Sequence, residues 1–132
     1  MAASASAVNI DDALQRASSA FGALQSEYAA AVSARQRLDE QRVENEHVQQ
    51  EFKTLKEHNT VYKLVGPVLV QQDHAEARLT VDKRLEIIRG EITRAETQIK
   101  ELSGKMDAQK AEIAQLQGQR QQAAGAVAAA AA

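Results

Sequence analysis

Three histidines, His47, His58 and His74, are the residues of this 132-residue sequence best suited to bind a metal or move a proton near neutral pH. Their separations match no metal-ligand spacing, so no metal site is expected. His47 and His58 read as exposed helix residues, and His74 as a first-turn residue of a second helix. Asp11 and Asp12 are adjacent carboxylates. At a helix start they serve the positive end of the dipole better than they serve acid/base catalysis. With no cysteine, disulfides, thiolate ligands and a thiol nucleophile are excluded, which fits a reducing compartment. No nucleophile sits in a glycine-containing elbow and there is no glycine-rich phosphate loop. The expectation is no catalytic residue, no cofactor and no enzyme.

Binding to nucleic acid or membrane is equally unsupported. Lys and Arg number 16 against 18 Asp and Glu, intermixed along the chain for a net charge of −2, so no basic footprint for a phosphate backbone exists. The longest apolar run, Leu64 to Val70, falls far short of the roughly 20 residues of a membrane helix. The start, MAASASAVNIDDAL, lacks the basic and apolar segments of a signal peptide. A soluble, cytoplasmic protein is expected.

Much of the 44% hydrophobic content is alanine, and the aromatics are Phe21, Phe52, Tyr28 and Tyr62 alone. A large single core is therefore not expected, and the Ala/Glu/Gln/Lys/Arg/Leu composition with a seven-residue apolar repeat points to coiled coil. Asn9 can cap a first helix over 10–59, after a flexible start at 1–9. Its apolar stripe runs Leu14, Ala17, Phe21, Leu24, Tyr28, Ala31, Leu38 and resumes at Val48, Phe52 and Leu55. The break between Arg35 and Asn45 reads as a phase shift. A second helix over 73–122 opens with Asp73 and Glu76 at capping-box spacing. Its stripe, Leu85, Ile88, Ile92, Ala95, Ile99, Leu102, Met106, Ile113 and Leu116, keeps 3- and 4-residue spacings with Gln109 as the interruption. Glu96 with Lys100, and Glu101 with Lys105, are spaced for ion pairs on its outer face. Gly90, Gly104 and Gly118 fall opposite the stripe. The Ala-rich tail at 123–132 could extend the helix or fray.

Between the helices lies NTVYKLVGPVLVQQ, residues 59–72, β-branched and apolar around the single proline. It predicts a β-hairpin over 60–72. Pairing across Gly66-Pro67 puts Leu64 opposite Leu69 and Tyr62 opposite Gln71, with Val61, Val65, Val68 and Val70 on the other face. Because proline is a poor second residue of a tight turn, a four-residue loop from Val65 to Val68 competes with a two-residue one. Folding back at this point sets Phe52 against Val81, Val48 against Leu85, Leu38 against Ala95, Ala31 against Leu102, Tyr28 against Met106 and Phe21 against Ile113. The fold is thus mainly α, an antiparallel two-helix coiled coil with arms of roughly 70 Å. A lone two-stranded hairpin is marginal in water and offers open edges. It predicts assembly, with several hairpins joined in an intersubunit β-barrel.

The stretch ENEHVQQEFKTLKEHNTVYKLVGPVLVQQDHAEARLTVDKRLEII, and VYKLVGPVLV in particular, resembles the β-type subunits of prefoldin over about residues 10–120. The resemblance implies a heterohexamer of two α-type and four β-type subunits, a hairpin platform and six coiled-coil tentacles. Such complexes hold unfolded actin and tubulin without ATP and pass them to the cytosolic chaperonin. By position, Val61, Tyr62, Leu64, Val65, Val68, Leu69 and Val70 would form the barrel. Leu14, Phe21, Leu24, Ile113 and Leu116, near the tips, would hold clients. The alternative is a structural scaffold or tether assembling through the same hairpin.

Overall fold

The computed structural model describes the backbone of residues 2–131 and the side chains of residues 9–131. Helix α1 spans Ala2–Thr54, strands β1 Val61–Val65 and β2 Val68–Gln72 follow, and helix α2 spans His74–Ala131. Asn9 is interior to α1, which starts earlier than its capping signal suggested and ends five residues before Asn59. The tail is helical through Gly125, an extension that its alanines favour. Met1 and Ala132 lie outside the described residues.

The chain packs as two units, Val32–Thr97 and Met1–Ala31 with Gln98–Ala132. In the first, Phe52, Ala77, Val81 and Leu85 form the core, with Leu55 and Val61 packed against it. Leu85 is 1% exposed. Each large side chain removed from water here contributes roughly 1.5–3 kcal/mol. The helices run antiparallel, as the pairs Arg35–Glu96 at 2.7 Å and Glu46–Arg89 at 3.1 Å require. In the second unit Ala17, Ala31 and Leu102 are buried. There Arg120 pairs with Asp11 at 3.1 Å, and the Lys110 ammonium lies 5.8 Å from the centre of the Phe21 ring.

Two readings of the stripe need correction. The covered positions of α1 proceed Leu38, Arg42, Asn45, Gln49, Phe52, an unbroken alternation of 4- and 3-residue steps, so no phase shift occurs between Arg35 and Asn45. The seam passes through polar residues whose charges are met locally. The Arg42 guanidinium donates to Asp39 at 2.8 Å and to Glu46 at 2.9 Å, and Gln49 donates to Asp82 at 2.8 Å. Val48 accordingly is not a partner of Leu85: it sits beside the seam and is exposed. The irregular step belongs to α2, where Ala77, Val81 and Leu85 are covered at two successive 4-residue spacings. Glu96 reaches across to Arg35, and among the described residues neither Glu96–Lys100 nor Glu101–Lys105 forms a pair.

Candidate assembly and client-holding surfaces

The hairpin pairs Val61 with Gln72, Tyr62 with Gln71, Lys63 with Val70, Leu64 with Leu69 and Val65 with Val68. The loop is therefore the two-residue one. Gly66 has φ of 60° with Pro67 after it. Positive φ at the first central residue and an ordinary negative φ at the second is the type II′ pattern, which a Gly-Pro sequence satisfies. The earlier objection to proline holds for type I′, where both central residues need positive φ.

Several contacts fix the hairpin to the helices. Asp73 caps α2: its carboxylate accepts from the Glu76 amide at 3.4 Å and its carbonyl from the Ala77 amide at 3.0 Å. Asn59 closes the preceding turn, accepting from the Lys56 amide at 2.8 Å, and its carbonyl meets the His74 ring Nε2. The Arg78 guanidinium donates to the Phe52 carbonyl at 3.2 Å, satisfying an acceptor in the last turn of α1. Sequence reasoning missed the positioning roles of Asn59, His74 and Arg78, because each depends on a partner across the hairpin base.

Of the seven hairpin positions expected to form a barrel, Tyr62, Leu64, Val65, Val68, Leu69 and Val70 are exposed, Leu64 at 68% and Leu69 at 63%. Val61 is half-buried and turns inward onto the Phe52 core. The sheet has two strands, so both keep an open edge. The hairpin thus combines exposed apolar side chains with backbone donors and acceptors left unpaired along both outer edges, the features that favour association in general.

Leu14, Phe21, Leu24, Ile113 and Leu116 are all half-buried in the Met1–Ala31 and Gln98–Ala132 unit. Among the described residues, two of its three buried ones, Ala17 and Ala31 beside Leu102, are alanines, whereas Phe52, Val81, Leu85, Ile88 and Ile92 are buried in the other unit. The Gln109 side-chain oxygen is buried without a hydrogen-bond partner. Ile10, Ala123, Ala124, Val127 and Ala128 line a shallow apolar groove of about 390 Å³. Two carboxylates and two guanidiniums, those of Asp39, Glu46, Arg42 and Arg89, form one linked cluster in the Val32–Thr97 unit. Hydrogen bonds from Arg89 and then Arg42 hold Glu46 below its usual range, and bonds to Asp39 and then Glu46 raise Arg42. No helix among the described residues is long and apolar enough to cross a membrane.

The family profile described as "Prefoldin subunit" matches residues 15–120. Prefoldin subunit 6 of Mus musculus is 44% identical over 100 residues, covering 76% of this chain and 79% of that protein. Prefoldin subunit 6 of Saccharomyces cerevisiae is 43% identical over 93 residues, covering 70% and 82% respectively. The crystal structure of the prefoldin beta subunit from Thermococcus strain KS-1 superposes with a TM-score of 0.70 at 22% identity, over 76% of this chain and 88% of that one.

Proposed function

Because the chain belongs to the prefoldin subunit family, a chaperone family, and has other prefoldin subunits as its partners, we propose that it joins α-type and β-type subunits in a heterohexamer through its hairpin. The hairpins pair edge to edge in an intersubunit β-barrel. The complex captures unfolded actin and tubulin at the coiled-coil tips without ATP and delivers them to the cytosolic chaperonin. The observation that carries this reading is the hairpin itself, with Leu64, Leu69 and both strand edges left uncovered by the chain that bears them. The tips support it less directly: five half-buried apolar residues become available wherever two weakly joined helices part, and several tips around a cavity reinforce one another.

The test is reconstitution with the partner subunits. The complex should suppress aggregation of chemically unfolded actin with no nucleotide present and transfer it to the chaperonin. Leu64→Asp combined with Leu69→Asp places unpaired charge in the barrel and should remove this subunit from the complex, seen by size exclusion, while helical circular dichroism persists. A complex that keeps the double variant overturns assembly through the hairpin. A complex that forms but leaves actin aggregation unchanged identifies a tether instead.

A further inference from the structure

The hairpin is held by its own chain only at its base. Among its strand residues Val61 and Gln72, the pair of the ladder nearest the helices, are half-buried, and the rest are exposed. At the far end Gly66-Pro67 closes the ladder; at the near end a side chain does. The Asn59 amide donates to the Lys56 carbonyl at 3.0 Å, and the Asn59 side-chain oxygen accepts from the Lys56 amide at 2.8 Å. These two bonds hold Asn59 in a turn, and its carbonyl then accepts from Nε2 of the half-buried His74 ring. A carbonyl can only accept, so Nε2 carries the proton. Asn59 precedes β1 and His74 follows β2, so this bond joins the two ends of the hairpin just beyond the Val61–Gln72 pair.

We infer that Asn59 and His74 are positioning residues for assembly: their bond closes the base of the hairpin, so that the free subunit meets its neighbours with the two strands already paired. A two-stranded hairpin is marginal in water, and the exposed Leu64, Val65, Val68 and Leu69 bury too little to hold this one. Its stability in the unassembled chain therefore falls to the base. There Val61 packs onto the Phe52 core, and His74, placed in the first turn of α2 by the Asp73 cap, ties the exit of β2 to the entry of β1. Strands that are paired beforehand dock with less ordering left to do, which favours association. This inference rests on assembly through the hairpin.

In the isolated chain, amides of residues 61–72 should exchange with deuterium about threefold faster in His74→Ala, within the worth of one hydrogen bond, while those of residues 81–92 keep the parent rate. His74→Gln, whose side-chain amide can donate to the same carbonyl, should restore the parent rate. His58→Ala removes an exposed ring that makes no hydrogen bond among the described residues, and should change nothing. Mixed with the partner subunits, His74→Ala should join the complex about twofold more slowly yet leave it at the parent rate, because neighbouring strands hold the hairpin once it has docked. Parental exchange in His74→Ala, an equal effect from His58→Ala, no restoration by His74→Gln, or faster departure in place of slower joining each overturn the inference. If His74→Ala exchanges and joins like the parent while the Leu64→Asp, Leu69→Asp variant is lost from the complex, this inference alone fails. A complex that retains the Leu64→Asp, Leu69→Asp variant removes the assembly reading as well.

Discussion

Leu85 and Val48 are both aliphatic residues on the apolar faces read from sequence, yet their surroundings differ completely. Leu85 is enclosed by Phe52, Ala77 and Val81, whereas Val48, beside the seam, is 44% exposed. Leu85→Ala should lower unfolding stability by about 2–5 kcal/mol, the cost of a cavity in a small core, and Val48→Ala in the isolated chain by no more than about 0.5 kcal/mol. Urea unfolding followed by circular dichroism measures both, and comparable losses would return Val48 to the seam. Glu46 has a pH signature. Its folded value lies below its ordinary 4.5, chiefly through Arg89, so its contribution is present above the unfolded value and is lost as pH falls through the folded one. The thermal midpoint of Glu46→Gln should therefore lie below that of the parent at neutral pH, and the gap should close as pH falls below the ordinary carboxylate range. A gap that persists there means the Arg89 and Arg42 contacts do not stabilise the fold.

At the scale of the element, α1 and α2 contribute unequally to their shared seam. Over Leu38–Gln49, α1 presents Arg42, Asn45 and Gln49, while α2 presents Leu85, Ile88 and Ile92. Polar seam residues fix register but bury little apolar surface, so local opening of α1 should cost less than local opening of α2. Amides of residues 38–49 should exchange with deuterium faster than those of residues 81–92, and equal protection would contradict this. The hairpin was legible because β-branched residues alternate around a Gly-Pro. Its turn type was not, since the two-residue and four-residue loops share the Leu64–Leu69 register and differ only in whether Val65 pairs with Val68, which rests on Gly66 taking a positive φ before Pro67.

For the whole molecule, assembly through the hairpin and client capture at the tips, as proposed, would be separable tasks. Deleting residues 1–24 and 110–132 from this subunit in an assembled complex removes Leu14, Phe21, Leu24, Ile113 and Leu116 and leaves the Phe52 core and the hairpin. Holding of unfolded actin should weaken modestly, because other tentacles remain, while the hexamer stays whole by native mass measurement. Unchanged aggregation suppression after all subunits are trimmed in the same way would move client capture away from the tips.

The sequence by itself determined the architecture: a seven-residue repeat makes helices that must find a partner, a short β-branched run around Gly66-Pro67 turns the chain back, and an apolar hairpin too small to stand alone demands company. Those properties are periodic or local, so they survive in one dimension. What the tertiary structure decided was where the seam runs through residues 35–49 and which ends of the helices persist. Arg42 is accommodated in the seam because Asp39 and Glu46, one turn away on the same helix, meet its guanidinium, and Gln49 because Asp82 accepts from it, a partner within reach only when the two helices lie side by side. A stripe drawn through apolar residues alone chose Val48. The hydrogen bond across the helices to Asp82 chose its neighbour, Gln49.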